Sequence, residues 1–190
     1  MGIFFLVVLG LFAGLTGWAI MVYNKLIRLR NMKEEGWSGI DIQLKRRSNL
    51  IPNLLESVKG YMGHERTVLE NVTSLRTQSM NASSVDGKIV AESLLTTSLS
   101  KLFAVAENYP ELKASQNFID LQAKLSELED EIQMTRRYYN GTVRNLNVAI
   151  ETFPNSVIAG MFNFEKALFF EIQDSEDRAV PKVEFSDKNN

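Results

Sequence analysis

His64 is the one histidine in the chain, and with Glu65 beside it and Glu70 six residues on it forms the group best suited to hold a metal ion. The known chemistry of such groups asks for more. A carboxylate-bridged di-iron bundle needs Glu-x-x-His on two helices. A zinc peptidase helix needs His-Glu-x-x-His, and "HERTV" supplies neither. A helix cap or an inter-helix hydrogen bond is the competing role for His64. The chain has no cysteine, which removes disulfides, thiolate nucleophiles and thiolate metal ligands together. It also lacks a Gly-x-Ser-x-Gly elbow and a glycine-rich phosphate loop. No catalytic residue, metal, cofactor or small-molecule substrate follows from these residues, and the expectation is a protein that is not an enzyme. Nucleic acid is a poor partner for a chain of pI about 5.6 whose aromatic residues fall on helix seams.

Two charged clusters remain. Lys45, Arg46 and Arg47 stand in a row, and "ELEDE" supplies Glu127, Glu129, Asp130 and Glu131. Residues 23–76 carry ten Lys and Arg against six acids, net +4, whereas residues 77–190 carry eleven against seventeen, net −6. The cations could therefore meet the acids across a bundle or between subunits. The plainer alternative is a solvated face, worth under about 1 kcal/mol per pair.

These clusters must be positioned by something, and the first element is at the N-terminus. Gly2 to Val22, "GIFFLVVLGLFAGLTGWAIMV", is 21 residues without a charge. As a helix it spans about 30 Å, the thickness of a bilayer's hydrocarbon core. No basic residue precedes it and no small-x-small exit follows, so an uncleaved anchor fits better than a signal peptide. Leu6 stands where myristoylation wants Ser or Thr. Lys25, Arg28, Arg30 and Lys33 follow the run, which by the positive-inside rule places the N-terminus outside and the remainder in the cytoplasm. Asn-x-Ser/Thr triplets at Asn71, Asn81 and Asn140 are then not glycosylation sites. Gly10, Ala13, Gly14 and Gly17 share one face of the anchor and would let two anchors pack closely. The alternative is that glycine is simply common in membrane helices. The triplet at 45–47 lies about 35 Å beyond the bilayer edge on a straight helix, several Debye lengths away, which favours a protein contact over lipid.

The rest of the chain reads as amphipathic helices joined by short loops. Phe118, Leu121, Leu125, Leu128, Ile132, Thr135, Tyr139, Thr142, Leu146, Ala149 and Phe153 recur at steps of three and four, a long seam of coiled-coil type. Ser115 is placed to cap this helix, Asn140 and Gly141 weaken its middle, and Pro154 ends it. A helix over 88–106 carries Ala91, Leu94, Leu95, Leu99, Leu102, Phe103 and Ala106 and stops at "NYPE". Another, over 64–80, carries Val68, Leu69, Val72 and Leu75 and stops at "NASSVDGK". Before them Trp37, Ile40, Leu44, Ile51, Leu54, Val58 and Tyr61 form one seam that keeps its phase across Pro52. Pro52 either kinks this helix, freeing the Ser48 carbonyl, or sits in the first turn of a new helix capped by Asn49. The expected fold is all-α: a transmembrane helix over 2–22, an antiparallel bundle of about four helices over 23–153, and an aromatic-rich segment with an extended tail over 154–190. Five phenylalanines from Phe153 to Phe170 either cap the bundle or leave an apolar patch for a partner or membrane surface.

The stretch "YNKLIRLRNMKEEGWSGIDIQLKRRSNLIPNLLESVKGYMGHE" (Tyr23–Glu65) resembles the signature region of the LemA family of bacterial membrane proteins. The resemblance continues through "VLENVTSLR" (Val68–Arg76), "RRYYNGTVRNLN" (Arg136–Asn147), "FPNSVIAGMFNF" (Phe153–Phe164) and "AVPKVEF" (Ala179–Phe185). Gly36, Gly39 and Asn49 depart from the family pattern, and two glycines within a helix cost roughly 1 kcal/mol each against alanine. The resemblance implies an N-terminal anchor and an antiparallel helical bundle, and no established activity. Through a relative of magnetosome membranes and members found near membrane zinc peptidases, it implies assembly or adaptor roles. The expected function is a non-enzymatic scaffold that self-assembles at the bacterial cell membrane. The alternative is an adaptor for a membrane peptidase or signalling complex.

Overall fold

The computed structural model describes residues 1–170, and all of their regular structure is helical. The "VPKVEF" stretch, for which the sequence suggests an added strand or clamp, lies outside the described residues.

Helix α1 runs without a break from Gly2 to Lys59, 58 residues, about 87 Å at 1.5 Å per residue. The apolar N-terminal run and the first bundle helix are thus one rod. Its buried positions, Val22, Leu26, Gly36, Ile40, Leu44, Arg47, Ser48, Ile51, Leu54 and Val58, follow the three-and-four spacing that keeps one face inward. Tyr61 lies past the end of the helix and is 40% exposed. The new helix capped by Asn49 does not exist, because Pro52 lies inside α1. The chain then turns back through α2 (Arg66–Asn81), out again through α3 (Val85–Ala106), across the single turn α4 (Pro110–Lys113), and back along α5 (Gln116–Glu151). A short α6 (Asn155–Met161) follows.

Several local details refine the expectations from sequence. "NYPE" is not only a stop, since its proline opens α4 at the first helical position, where its missing N–H is harmless. Ser115 is the N-cap residue of α5 but accepts no capping bond. Ser84 does cap α3, accepting from the Gly87 amide at 3.1 Å. The last member of the long seam, Phe153, falls beyond the end of α5 at Glu151 and is 79% exposed. Leu94 likewise faces out, and Glu92, three residues before buried Leu95, takes an inward place. The Asn140–Gly141 pair leaves α5 unbroken.

The core has three stacked sections. Furthest from the N-terminus all four long helices contribute, with Ile51, Leu54, Val58, Val72, Leu95, Leu102, Phe118 and Leu125 packed together. In the middle, α1 and α5 meet through Ile40, Leu44, Ile132, Tyr139 and Val143, joined by Ile89 and Phe170. At the near end Val22 and Leu26 meet Ala149, Ile158 and Ala159. Gly36 allows the close α1–α5 crossing. A Cβ there would stand 3.2 Å from the Tyr139 Cα, so the backbones approach more closely than an alanine easily permits.

Candidate functional site

Arg47 sits where the four-helix section gives way to the α1–α5 pair, and it is 2% exposed. A lone buried guanidinium is expensive, so it must be paired and hydrogen-bonded. Its Nη1 donates to Glu129 Oε2 at 2.5 Å and to Thr96 Oγ1 at 2.9 Å. Its Nη2 bonds the carboxylate of Glu92, which is itself buried. The other Glu92 oxygen accepts from the Ser79 hydroxyl. Glu129 also accepts from Gln133 Nε2 at 3.1 Å. One side chain from α1 is thereby tied to α2, α3 and α5. Half-buried Arg136 stands close by, its pKa lowered chiefly by burial, and its guanidinium lies 4.7 Å from the centre of the Phe170 ring. The cavity left among these side chains is about 10 Å³, space for a single water at most. The junction is closed and built to hold helices together.

Pro52 belongs to the same structure. It cannot donate to the Ser48 carbonyl four residues back, and Arg76 Nε of α2 donates to that oxygen at 2.7 Å. The acceptor released by the proline becomes the seat of a cation from the neighbouring helix. This supplies the missing bond and fixes α2 against α1.

The cationic triplet divides by its position on the helix. Arg47 is in the seam. Arg46 pairs with Glu131 at 3.6 Å, with both side chains substantially exposed. Lys45, Glu127 and Asp130 are exposed, and they make no ion pair among the described residues. Glu92, Ser79, Thr96 and Arg76 were missing from the sequence reading. Glu92 could have been found from register, since it stands three residues before Leu95 on the seam of α3, and Arg47 likewise falls between Leu44 and Ile51. The bond from Arg76 to Ser48 had no sequence signal beyond Pro52 itself.

A second set of polar contacts holds the segment after α6. Asn147 brackets the Ala167 peptide, accepting from its N–H at 2.8 Å and donating to its carbonyl at 2.9 Å. Asn140 does the same to Phe170, at 2.8 and 3.1 Å. Tyr139 donates to the Leu168 carbonyl at 3.0 Å, and burial first, then Asp86, pushes its phenol up from the ordinary value. Seven residues of helix and three of extended chain both span about 10 Å. Two asparagines two turns apart therefore match two peptides three residues apart. The extended strap lays Phe170 into the middle core at 2% exposed, while Leu168 and Phe169 face outward.

The remaining candidates form no constellation. His64 and Glu70 are exposed, and Glu70 pairs with Arg66 at 2.7 Å. Among the described residues no three metal-ligating side chains converge. Gly10, Gly14 and Gly17 have nothing within 4 Å of a built Cβ, and Ala13 between them is exposed. An open groove of about 650 Å³ lies at the far end between α1 and α2, lined by Leu55, Met62 and Leu69 among others. Among the described residues two helices are long and apolar enough to cross a membrane. The apolar window of α1 has mean hydropathy 2.3 and no buried residue, while α3 buries 44% of its window in the bundle.

Comparison with known proteins identifies a family. The model of the LemA family matches residues 36–185. Protein LemA of Metamycoplasma hominis is 28% identical, over 92% of this chain and 78% of that protein. Magnetosome protein MamQ 2 of Paramagnetospirillum magneticum is 23% identical, over 85% of this chain and 69% of that protein. Magnetosome protein MamQ of Magnetospirillum gryphiswaldense is 22% identical over the same shares. The match takes in Arg47, Pro52, Glu92 and the two clamping asparagines alike, and a membrane-associated helical protein of this build, with its apolar leading helix, belongs to the LemA family.

Proposed function

We propose that the protein is a non-enzymatic scaffold, anchored in the bacterial cell membrane by residues 2–22 and self-assembling there, with the bundle on the cytoplasmic side. The observation that carries this reading is the continuity of α1. A single helix leaves the apolar run and becomes the main strut of the bundle, so any association of anchors is transmitted rigidly to the soluble part. The junction at Arg47 locks the other helices to that strut. The open face of Gly10, Ala13, Gly14 and Gly17 suits close packing of two anchors in lipid. Relatives named as magnetosome proteins support a role in an assembled cellular structure. Light scattering after size exclusion in mild detergent tests the reading on the full chain, on its Gly14→Leu variant, and on a chain starting at Tyr23. A defined oligomer weakened by Gly14→Leu is expected, and monomers throughout would overturn the proposal.

The adaptor reading is favoured by one observation, the groove between α1 and α2 at the end remote from the anchor. Its apolar lining and open form suit a partner's helix rather than an enclosed ligand. A monomeric full chain whose partner binding is lost on Leu69→Lys would favour this reading over self-assembly.

A further inference from the structure

The near end of the bundle carries an uncharged, apolar element in a place where the anchor needs lipid. From Thr152 to Phe164, "TFPNSVIAGMFNF", there is no charged residue. Ile158 and Ala159 of α6 pack on Val22 and Leu26, with Trp18, Ala19 and Tyr23 at the margin. The opposite side is bare: Phe153 is 79% exposed, Met161 69%, Phe162 55% and Val157 51%. In a bundle surrounded by water, four such side chains on a dozen residues would be a costly surface.

Dimensions identify the occupant. The charge-free stretch extends to Asn24, but only residues 2–17 of α1 stand wholly free of the bundle. Sixteen residues of helix reach about 24 Å, short of the roughly 30 Å of hydrocarbon that a spanning helix must match. The lipid must therefore rise along α1 to about residue 21, and at that level α1 is already covered by α6. The register of α5 agrees. Gly36 of α1 meets Tyr139 of α5, and twelve residues further down the antiparallel helix its end at Glu151 falls level with residue 24, with Phe153 just beyond that end. The first charges on either strand lie just above: Lys25 on α1, and Glu151 on α5, which pairs with Lys166. Tyr23 stacks near Phe162 at 4.7 Å and Phe164 at 6.0 Å, while Arg30 lies 5.7 Å from the Phe164 ring centre. Aromatic rings with cations immediately beyond them mark a membrane–water boundary.

We infer that α6 and its flanking turns form a collar inserted into the bilayer surface around the anchor, with Phe153, Val157, Met161 and Phe162 in contact with acyl chains. The occupant is the membrane that α1 spans, so the inference rests on the spanning reading of residues 2–22. The collar seats the bundle at a fixed depth and angle on the membrane, and it buries about 5–10 Å of the interface, as an interfacial amphipathic element does.

The absence of cysteine makes the test direct. Single variants Val157→Cys, Met161→Cys, Leu11→Cys and Val90→Cys of the full chain are labelled with an environment-sensitive fluorophore in vesicles of phosphatidylcholine and phosphatidylglycerol. Quenching is then measured with spin-labelled lipid and with aqueous iodide. Leu11 and Val90, both exposed in the bundle's own frame, report the span and the aqueous side respectively. The expected result is strong lipid quenching at 157 and 161 by a shallow spin label, at 11 by a deep one, and iodide quenching at 90 alone. Iodide quenching at 157 and 161 equal to that at 90, with Leu11 still in lipid, would overturn the collar and leave the anchor standing. Shielding of 157 and 161 from both quenchers would assign the face to a second copy or another protein, also overturning it. A Leu11 probe quenched by iodide would overturn the spanning reading and the collar with it.

Discussion

Replacing Arg47 by methionine keeps much of the side chain's volume and removes the charge that joins four helices. The Glu92 carboxylate, about 4% exposed, then loses its cation and keeps only the Ser79 hydroxyl. Glu129 loses its partner too, but at 32% exposed it is partly rehydrated. Removing one member of a buried pair costs about 3–5 kcal/mol, because the stranded charge stays desolvated. Arg47→Met is expected near the upper part of that range, against a total stability of about 5–15 kcal/mol for a domain. The control is next door: Arg46→Met breaks a 3.6 Å pair between side chains 61% and 42% exposed, expected to cost no more than about 0.5–1 kcal/mol. Urea unfolding of the full chain in detergent, followed by far-UV circular dichroism, gives both values, with an unchanged m-value showing that the transitions are comparable. The double variant Arg47→Met/Glu92→Met is the decisive sample. With both fully buried charges gone no desolvated ion is left stranded, so most of the single-variant loss should return, giving a coupling of at least about 2 kcal/mol. A cost for Arg47→Met no greater than for Arg46→Met, or a double variant showing the simple sum of the singles, would refute the buried junction.

Pro52→Ala and Arg76→Ala should be coupled through the Ser48 carbonyl. Arg76→Ala alone is expected to cost about 1.5–3 kcal/mol, as for a bond from a charged donor, and distinctly less in the Pro52→Ala background, where an N–H again reaches that oxygen. Equal costs in the two backgrounds by urea unfolding would break the connection. Asn147→Ala removes both bonds to the Ala167 peptide and should release the strap, giving faster hydrogen exchange at the Ala167 and Phe170 amides with little change in the α2–α3 hairpin. Unchanged protection at Phe170 would mean that its burial alone holds the segment. Tyr139 links stability to alkaline pH. Its folded pKa lies above the unfolded value of about 10, so the folded state holds its proton longer and stability falls as pH rises past 10. The advantage of wild type over Tyr139→Phe should therefore be full near neutral pH and shrink towards about pH 11. A constant difference across that range would show that the phenol does not titrate out of its bond to Leu168.

Much of the helical architecture was legible because hydrophobic period is a local property. The uncharged run at Gly2–Val22, the seam of α5 and the phase kept across Pro52 are visible in short windows, and each maps onto a helix of the fold. Charge asymmetry between the chain halves pointed to contacts between 45–47 and 127–131, yet it treated the triplet as one unit. Helix register separates its members, turning Arg47 inward and leaving Lys45 outside. Glu92 was passed over because an acid in an apolar seam looks like an interruption until its cation is known. Phe153 was placed on the seam because apolar character says nothing about where a helix stops, and α5 stops two residues earlier.

By itself the sequence determined the four long helices, most of the apolar face of each, and that the first run is long and bare enough for a bilayer, since these follow from side-chain type at fixed spacing. Only the tertiary structure decided that Arg47 closes on Glu92 and Glu129, that Arg76 takes the acceptor Pro52 leaves free, and that two asparagines clamp an extended strap. It alone set α6 against the end of the apolar N-terminal run. Those pairings join residues 20 to 82 positions apart, and the stability of a polar contact depends on what surrounds it, which appears only when the helices have packed.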